Sequence, residues 1–184
     1  QGETSIHGWE MKSCGLTDCI RKAADAFQWQ SLEEKNPNPR GKLLDSQSFF
    51  RRGLGIACAV HVSGNRVHMD WDGANAEIRI REDGRAALAI GEGDIGQGAN
   101  TVLAMIVAEE LGFRIEDVEL SAADTDHTPL GLGARASRLT FIAGNAVRKA
   151  ASRAKKEILN LAASRLEVSS EDLEVLDGHI FVVG

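Results

Sequence analysis

The chain has 184 residues, of which 43% are hydrophobic and 26% are charged, and its formal net charge is −6. This composition is typical of a folded globular domain and excludes intrinsic disorder. The acidic balance argues against a general nucleic-acid-binding protein, which normally presents a basic face. No apolar run reaches the about 18 residues that a membrane span needs. The three cysteines are too few for a disulfide scaffold and favour a cytoplasmic location. We therefore expect neither nucleic acid nor membrane as a partner.

The N-terminal part of the sequence differs from the rest. Apolar residues recur at helical spacing between Cys14 and Trp29, with Ser13 as a candidate N-cap. Residues 33–42 are polar and interrupted by prolines, which is typical of a linker. We therefore predict an N-terminal helix and linker over 1–50 and a compact domain over 51–184. Because the sequence begins with Gln1 and stops after an apolar run, we also expect a piece of a longer polypeptide.

Strand-like segments dominate the beginning and the end of the compact domain. They show apolar runs or alternation with period two. The predicted strands cover residues 53–62, 76–81, 86–90, 118–122, 174–176 and 179–183. Asp83-Gly84 and Asp177-Gly178 each join two of them, and this dipeptide is favoured in two-residue type I′ hairpins.

Two longer helices are predicted between these strands. The first follows Thr101, and Gly112 is placed to end it with a left-handed C-terminal residue. The second covers about residues 137–166, where small and aliphatic residues recur at helical spacing. The predicted class is therefore α+β, with antiparallel hairpin strands and two longer helices packed on the sheet.

Residues 91–98 form a glycine-rich loop between a predicted strand and a predicted helix. Gly91 to Gly96 matches the Gly-x-Gly-x-x-Gly pattern of dinucleotide-binding turns. We disfavour that interpretation because residues 97–100 still precede the helix and because the incoming strand belongs to a hairpin. A loop of this kind nevertheless lets a ligand approach the backbone closely. A helix N-terminus also attracts anions.

A second long loop, residues 124–138, leads into the longest predicted helix. Ser137, Arg138 and Thr140 would offer a phosphate two hydroxyls, a guanidinium and free amides. The alternative is that Ser137 only caps the helix and that the arginines are solvated. The residues alone leave both interpretations open.

The remaining reactive residues predict little chemistry. The three cysteines lack iron–sulfur spacing and are predicted to be small buried hydrophobic residues. The five histidines are scattered, which argues against a zinc site, and only His127 lies in a candidate loop.

Several motifs, taken in order, resemble the large molybdopterin-binding subunit of the xanthine dehydrogenase/aldehyde oxidase family. One motif alone is weak, but their order and spacing are specific, and together they cover nearly all of the chain. The matching segments are Ser13 to Leu16, Arg51 to Ala57, Asp94-Ile95-Gly96-Gln97-Gly98-x-x-Thr101, Ala108 to Gly112, Asp124-Thr125 and Ser137-Arg138-x-Thr140 with Gly144 to Val147.

This resemblance implies a cofactor site. Gly96, Gln97 and Gly98 would contact molybdopterin, as such or extended with a cytosine nucleotide, and Ser137, Arg138 and Thr140 would lie at its phosphate end. The glutamate base of that family belongs to a Gly-x-Gly-Glu segment beyond this sequence, so Glu92 is not assigned to it. The resemblance therefore implies no catalytic residue and no direct metal ligand in this chain.

The resemblance also implies an enzyme of several parts. Its members hydroxylate aldehydes or aromatic heterocycles, and relatives act on aryl thioesters or carbon monoxide. Partners would be the remainder of the large subunit and the subunits or domains that carry iron–sulfur clusters and FAD. This chain alone would be inactive. The competing hypotheses are a stand-alone nucleotide- or phosphate-binding module and a non-catalytic interaction domain.

Overall fold

The computed structural model of the chain describes residues 2–5, 8–29, 55–59, 61 and 72–183. These residues belong to two compact units, residues 1–60 and residues 61–184. The predicted linker at 33–42 lies outside the described residues. The predicted division into 1–50 and 51–184 stays a prediction.

The first unit contains one helix, α1, which spans Leu16–Ala26. The amphipathic spacing predicted this helix, and the structure confirms it. The predicted cap at Ser13 is wrong, because the N-cap position is Gly15 and no side chain caps the helix. None of the residues of α1 is buried within this unit.

The predicted strand over 53–62 is not formed in its described part. Residues 55–59 have no regular secondary structure, and Ile56 is 49% exposed. Cys58 is also exposed, as are Cys14 and Cys19, so the prediction of three buried cysteines is wrong. Apolar composition identified this segment, but no other described residue pairs with 55–59 as a neighbouring strand.

The second unit is built on a three-stranded sheet in the order β1-β2-β3. The strands are β1 (Ala76–Ile80), β2 (Ala86–Ile90) and β3 (Val118–Ala122). β1 pairs with β2 in antiparallel register, whereas β2 pairs with β3 in parallel register. The α+β class and the hairpin are confirmed, but the parallel pair was not foreseen. A separate antiparallel hairpin joins β4 (Leu173–Leu176) to β5 (His179–Val182).

The two Asp-Gly turns differ from each other. Asp177 and Gly178 have φ values of +50° and +77°, which confirms the predicted type I′ turn between β4 and β5. Between β1 and β2 only Gly84 has a positive φ, +84°, and the Gly84 N–H donates to Arg81 O at 3.0 Å. This is a three-residue loop with a left-handed glycine, so the type I′ prediction is wrong there.

Two helices follow the sheet strands as predicted, but the predicted start of the first after Thr101 is wrong, because residues 99 and 100 already belong to it. α2 spans Ala99–Leu111 and ends at Gly112, which has φ +80°, and the Phe113 N–H donates back to Ala108 O at 3.0 Å. α3 spans Gly144–Leu166 and is preceded by one π-helical turn, Leu139–Ala143. The predicted helix from 137 therefore begins two residues later and with a wider turn. Single π-turns of this kind often lie at functional sites.

Both helices pack on one face of the sheet. β2 is the central strand, and Ala86, Leu88 and Ile90 are buried on the face that carries the core. α2 adds Leu103, Val107 and Leu111 to this core, and the π-turn and α3 add Leu139, Ala143, Val147 and Ala151. No helix among the described residues is long and apolar enough to cross a bilayer.

Candidate functional site

The two glycine-rich loops predicted from the sequence cross each other. A Cβ atom added to Gly91 would lie 2.1 Å from Pro129 O and 2.4 Å from Gly131 N. A Cβ added to Gly131 would lie 2.3 Å from the carbonyl carbon of Gly91. The backbones therefore touch at a point where only glycine fits, and the base of the first loop is held against the second.

Asp94 organises the first loop from within. Its Oδ1 accepts the N–H groups of Gly96 at 2.8 Å and Gly98 at 3.4 Å, and its Oδ2 accepts the Asn100 N–H at 3.1 Å. The hydrogen bonds from Gly96 and Asn100 hold the pKa of Asp94 below its ordinary value. The anion at the N-terminus of α2 is thus the chain's own carboxylate.

This arrangement predicts a pH dependence confined to the loop. The folded pKa of Asp94 lies below the unfolded value of about 3.9. The carboxylate therefore stabilises the loop above that value, and its contribution is lost as the pH falls through the lowered pKa. We expect the protection factors of the Gly96 and Asn100 amides, which correct for intrinsic exchange, to fall over that range, as measured by NMR. Asp94→Asn is the control, in which exchange at both amides is faster at neutral pH and this pH dependence is absent. An Asp94 carboxyl that titrates at or above about 3.9 would contradict the assignment.

Gln97 lies at the exposed tip of the same loop, between two left-handed glycines. Gly96 has φ +104° and Gly98 has φ +78°, conformations that side chains rarely adopt. The Gln97 Oε1 accepts the Ile95 N–H at 2.7 Å. The internal bond uses the amide oxygen, so the NH₂ group carries the donors that suit a ligand.

The second loop ends in two consecutive left-handed residues. Ala136 has φ +48° and Ser137 has φ +52°, although neither is glycine. Ala136 is buried, and its N–H donates to Nε2 of His61 at 3.2 Å. Such conformations cost about 1–3 kcal/mol each and persist where the surroundings impose them, often at ligand sites. Ser137 and Thr140 are exposed at the start of the π-turn, and Ser137 does not cap the helix by a side-chain hydrogen bond.

Arg138 lies in a different environment from its neighbours. Its side chain is 0% exposed, its Nε donates to Asp72 Oδ1 at 2.8 Å, and its Nη1 donates to Glu92 Oε1 at 2.9 Å. Burial lowers the pKa of Arg138, but the hydrogen bonds to Glu92 and Asp72 outweigh this effect and the net shift is upward. The guanidinium is therefore buried against two carboxylates and is not exposed for the predicted direct contact with a phosphate.

The six predicted residues thus fall into two exposed groups and one buried residue. Gly96, Gln97 and Gly98 form the first group, Ser137 and Thr140 form the second, and Arg138 is the buried residue. The structure joins the base of the first loop to the middle of the second. It also has two clefts in the second unit, of about 640 and 380 Å³, and none of the six residues lines either of them. Their assignment to a cofactor site stays a prediction.

Glu92 and Asp72 are residues that sequence reasoning missed. Glu92 is fully buried between two glycines, and its Oε1 accepts from Arg138 and from the Leu132 N–H at 3.4 Å. A carboxylate placed directly after a buried strand was a signal in the sequence. No local pattern pointed to its partner, Arg138, which lies 46 residues further along the chain.

Asp124, Asp126 and His127 form an exposed cluster in the second loop. Their candidate ligand atoms lie within 4.8 Å of one another. The Asp124 carboxylate already accepts the Asp126 N–H at 2.9 Å, and His127 Nδ1 lies 3.6 Å from the same oxygen. These contacts account for the cluster as part of a turn.

Comparison with known proteins identifies the family. Residues 22–184 match the molybdopterin cofactor-binding domain family. The chain is 36% identical over 179 residues to the xanthine dehydrogenase molybdenum-binding subunit of Escherichia coli, covering 97% of this chain and 23% of that subunit.

Solved structures agree with this match. CO dehydrogenase from Oligotropha carboxidovorans superposes with a TM-score of 0.58 at 29% identity, over 96% of this chain and 23% of that one. Quinoline 2-oxidoreductase from Pseudomonas putida 86 superposes with a TM-score of 0.54 at 34% identity, over 60% of this chain and 14% of that one.

The chain belongs to the molybdopterin cofactor-binding domain family. This result confirms the family resemblance drawn from the Gly-Gln-Gly and Ser-Arg-x-Thr motifs. The chain spans less than a quarter of the length of these relatives.

Proposed function

We propose that this chain is the part of a molybdenum hydroxylase large subunit that forms one side of the molybdopterin site. The relatives are named as molybdenum-binding subunits and oxidoreductases, which supports an oxidoreductase role for the whole protein. The observation that carries the proposal is the crossing of the two motif-bearing loops at Gly91 and Gly131. It holds the base of the first loop against the middle of the second loop.

The exposed donors fit the chemistry of this cofactor. Molybdopterin is an anionic phosphate-bearing pterin, and Gln97, Ser137 and Thr140 offer it an amide and two hydroxyls without a competing charge. An added Cβ at Gly96 or Gly98 would meet nothing within 4 Å, so the backbone at the tip is open to a flat ligand. The bound cofactor would supply the redox chemistry, and these residues would orient it.

The two ends of the cofactor would meet different loops. Asp94 occupies the amides at the start of α2, which disfavours a phosphate there and favours the pterin at Gln97. The strained Ala136–Ser137 backbone and the following π-turn suit the phosphate. The same role of Asp94 disfavours the dinucleotide interpretation, although the β2–α2–β3 unit is parallel as that fingerprint requires.

The proposal also covers the location of the enzyme, the form of its cofactor and its partner subunits. We propose a cytoplasmic enzyme of the xanthine dehydrogenase/aldehyde oxidase type, with molybdopterin present as such or in its cytosine dinucleotide form. Iron–sulfur clusters and FAD would be carried by other subunits or domains. The remainder of the large subunit would complete the site. The alternative of a stand-alone phosphate-binding module is not favoured by the family match over 22–184.

Substitution of Gln97 tests this function. In the complete subunit, Gln97→Ala is expected to lower molybdenum and pterin content at least about tenfold, the effect of losing about 1.4 kcal/mol of binding. Gln97→Glu keeps the acceptor for the Ile95 N–H but removes the NH₂ donors, so we expect a similar loss with the loop intact.

The matched control is Asn160→Ala, which removes an exposed amide on α3. It should leave the cofactor content unchanged. Cofactor content is measured by elemental analysis for molybdenum and by fluorescence of the released pterin. A Gln97→Ala subunit with wild-type content of both would contradict the proposed function.

A further inference from the structure

Arg138 is linked to three separate segments of the second unit. Besides Glu92 and Asp72, its guanidinium donates to the backbone carbonyls of Gly73 and Gly133. Four of its five N–H donors are therefore used within the chain. Since the side chain is 0% exposed, the remaining donor does not reach the surface.

These contacts connect the two motif-bearing loops. Glu92 lies one residue after Gly91, at the base of the first loop, and Gly133 lies in the second loop. The Leu132 N–H reaches the same carboxylate oxygen of Glu92 as Arg138 does, at 3.4 Å. The ion pair thus lies beside the glycine crossing and ties the same two segments through side chains.

A buried ion pair of this kind contributes little net stability, but each of its members depends on the other. Desolvation of both charges offsets their attraction, so an apolar pair of similar volume is often equally stable. Loss of one partner leaves an unpaired buried charge, which is strongly unfavourable. Glu92 Oε2 has no hydrogen-bond partner among the described residues, so Arg138 is the main compensation for this carboxylate.

We infer that Arg138 is a positioning residue, which acts through Glu92 to hold the loop of Gln97 and the loop of Ser137 in register for the cofactor. This inference rests on the proposed function. It replaces the predicted contact between Arg138 and a phosphate, because the guanidinium is fully buried and is held by carboxylates.

A double-mutant cycle in the complete, assembled enzyme tests this role. Arg138→Met is expected to lower cofactor content at least about tenfold, and Glu92→Met/Arg138→Met is expected to recover it to within about threefold of wild type. Rescue is expected because the second change removes the fully buried carboxylate, whereas the Asp72 carboxylate that also loses its partner is 16% exposed to solvent. A double variant that melts like the wild type but holds as little cofactor as Arg138→Met would overturn the inference, as would a double variant that does not fold.

Glu92→Gln distinguishes the two roles of Arg138 by the direction in which it changes cofactor retention. If Arg138 acts through Glu92, the weaker neutral hydrogen bond should lower cofactor retention about two- to fivefold. If Arg138 binds phosphate directly, removal of the neighbouring negative charge should raise retention instead, and that result would overturn the inference. Gln97→Ala, measured in parallel, tests the proposed site itself, so failure of the site and failure of the positioning role are distinguished.

Discussion

Gly91→Ala is expected to destabilise the second unit by at least about 3 kcal/mol, because the new methyl group overlaps the backbone of the other loop. The added Cβ would lie 2.1 Å from Pro129 O and 2.4 Å from Gly131 N, and these are backbone atoms that cannot rotate away. The loops would have to separate. Urea denaturation of the chain measures the loss, and a low cofactor content should accompany it in the complete subunit.

Gly93→Ala is the matched control in the same loop. Its Cβ would lie 3.5 Å from the Ala123 Cβ, which is an ordinary contact. We expect a change of less than about 1 kcal/mol, since alanine also restricts the unfolded chain. Equal effects of the two substitutions would show that the crossing is not the cause.

Gly112→Ala is expected to have the second large effect, at the junction of α2 with the β4–β5 hairpin. Its φ of +80° disfavours alanine, and an added Cβ would lie 2.2 Å from Val175 O. The Gly178 N–H also donates to Gly112 O at 3.0 Å, so the hairpin is docked at this residue. We expect a loss of about 2–5 kcal/mol in urea denaturation, the sum of the backbone and overlap costs.

Gly178→Ala separates these two costs. Gly178 has nearly the same φ, +77°, but an added Cβ would meet nothing within 4 Å. It should therefore show only the backbone cost of about 1–2 kcal/mol. If Gly112→Ala proves no worse than Gly178→Ala, the close approach to Val175 does not contribute.

Local chemistry allowed much of this fold to be predicted. Asp177-Gly178 joins two strands with no spare residue, so the dipeptide alone determined a type I′ turn. Asp83-Gly84 has the same residues but a three-residue loop, because Glu82 also belongs to the turn. The dipeptide signals a turn, whereas the register of the strands selects its type.

Long-range pairing was beyond the reach of the sequence. The parallel register of β2 and β3 depends on α2 carrying the chain back across the sheet. Similarly, the segment at 55–59 has the composition of a strand, but a strand also needs a pairing partner, which local sequence does not supply. Strand propensity reflects packing against neighbours more than an intrinsic preference of the backbone.

The same distinction between local and long-range information applies to the candidate site. The motif residues Gln97 and Ser137 could be selected from the sequence, because glycines and hydroxyls before helices have a known chemistry. The ion pair of Glu92 with Arg138 could not be predicted from the sequence, since it joins residues 46 positions apart. The residue type of Arg138 therefore suggested a contact with the ligand. Its burial beside Glu92 instead favours the proposed role in supporting the loops.

The most direct measurement is an experimental structure of the complete subunit with its cofactor bound. The proposed function predicts the Gln97 amide within about 3 Å of the cofactor, and a hydroxyl of Ser137 or Thr140 within about 3 Å of its phosphate. Arg138 should remain paired with Glu92 beneath them. A cofactor bound elsewhere, with both exposed groups facing only protein or solvent, would contradict the account.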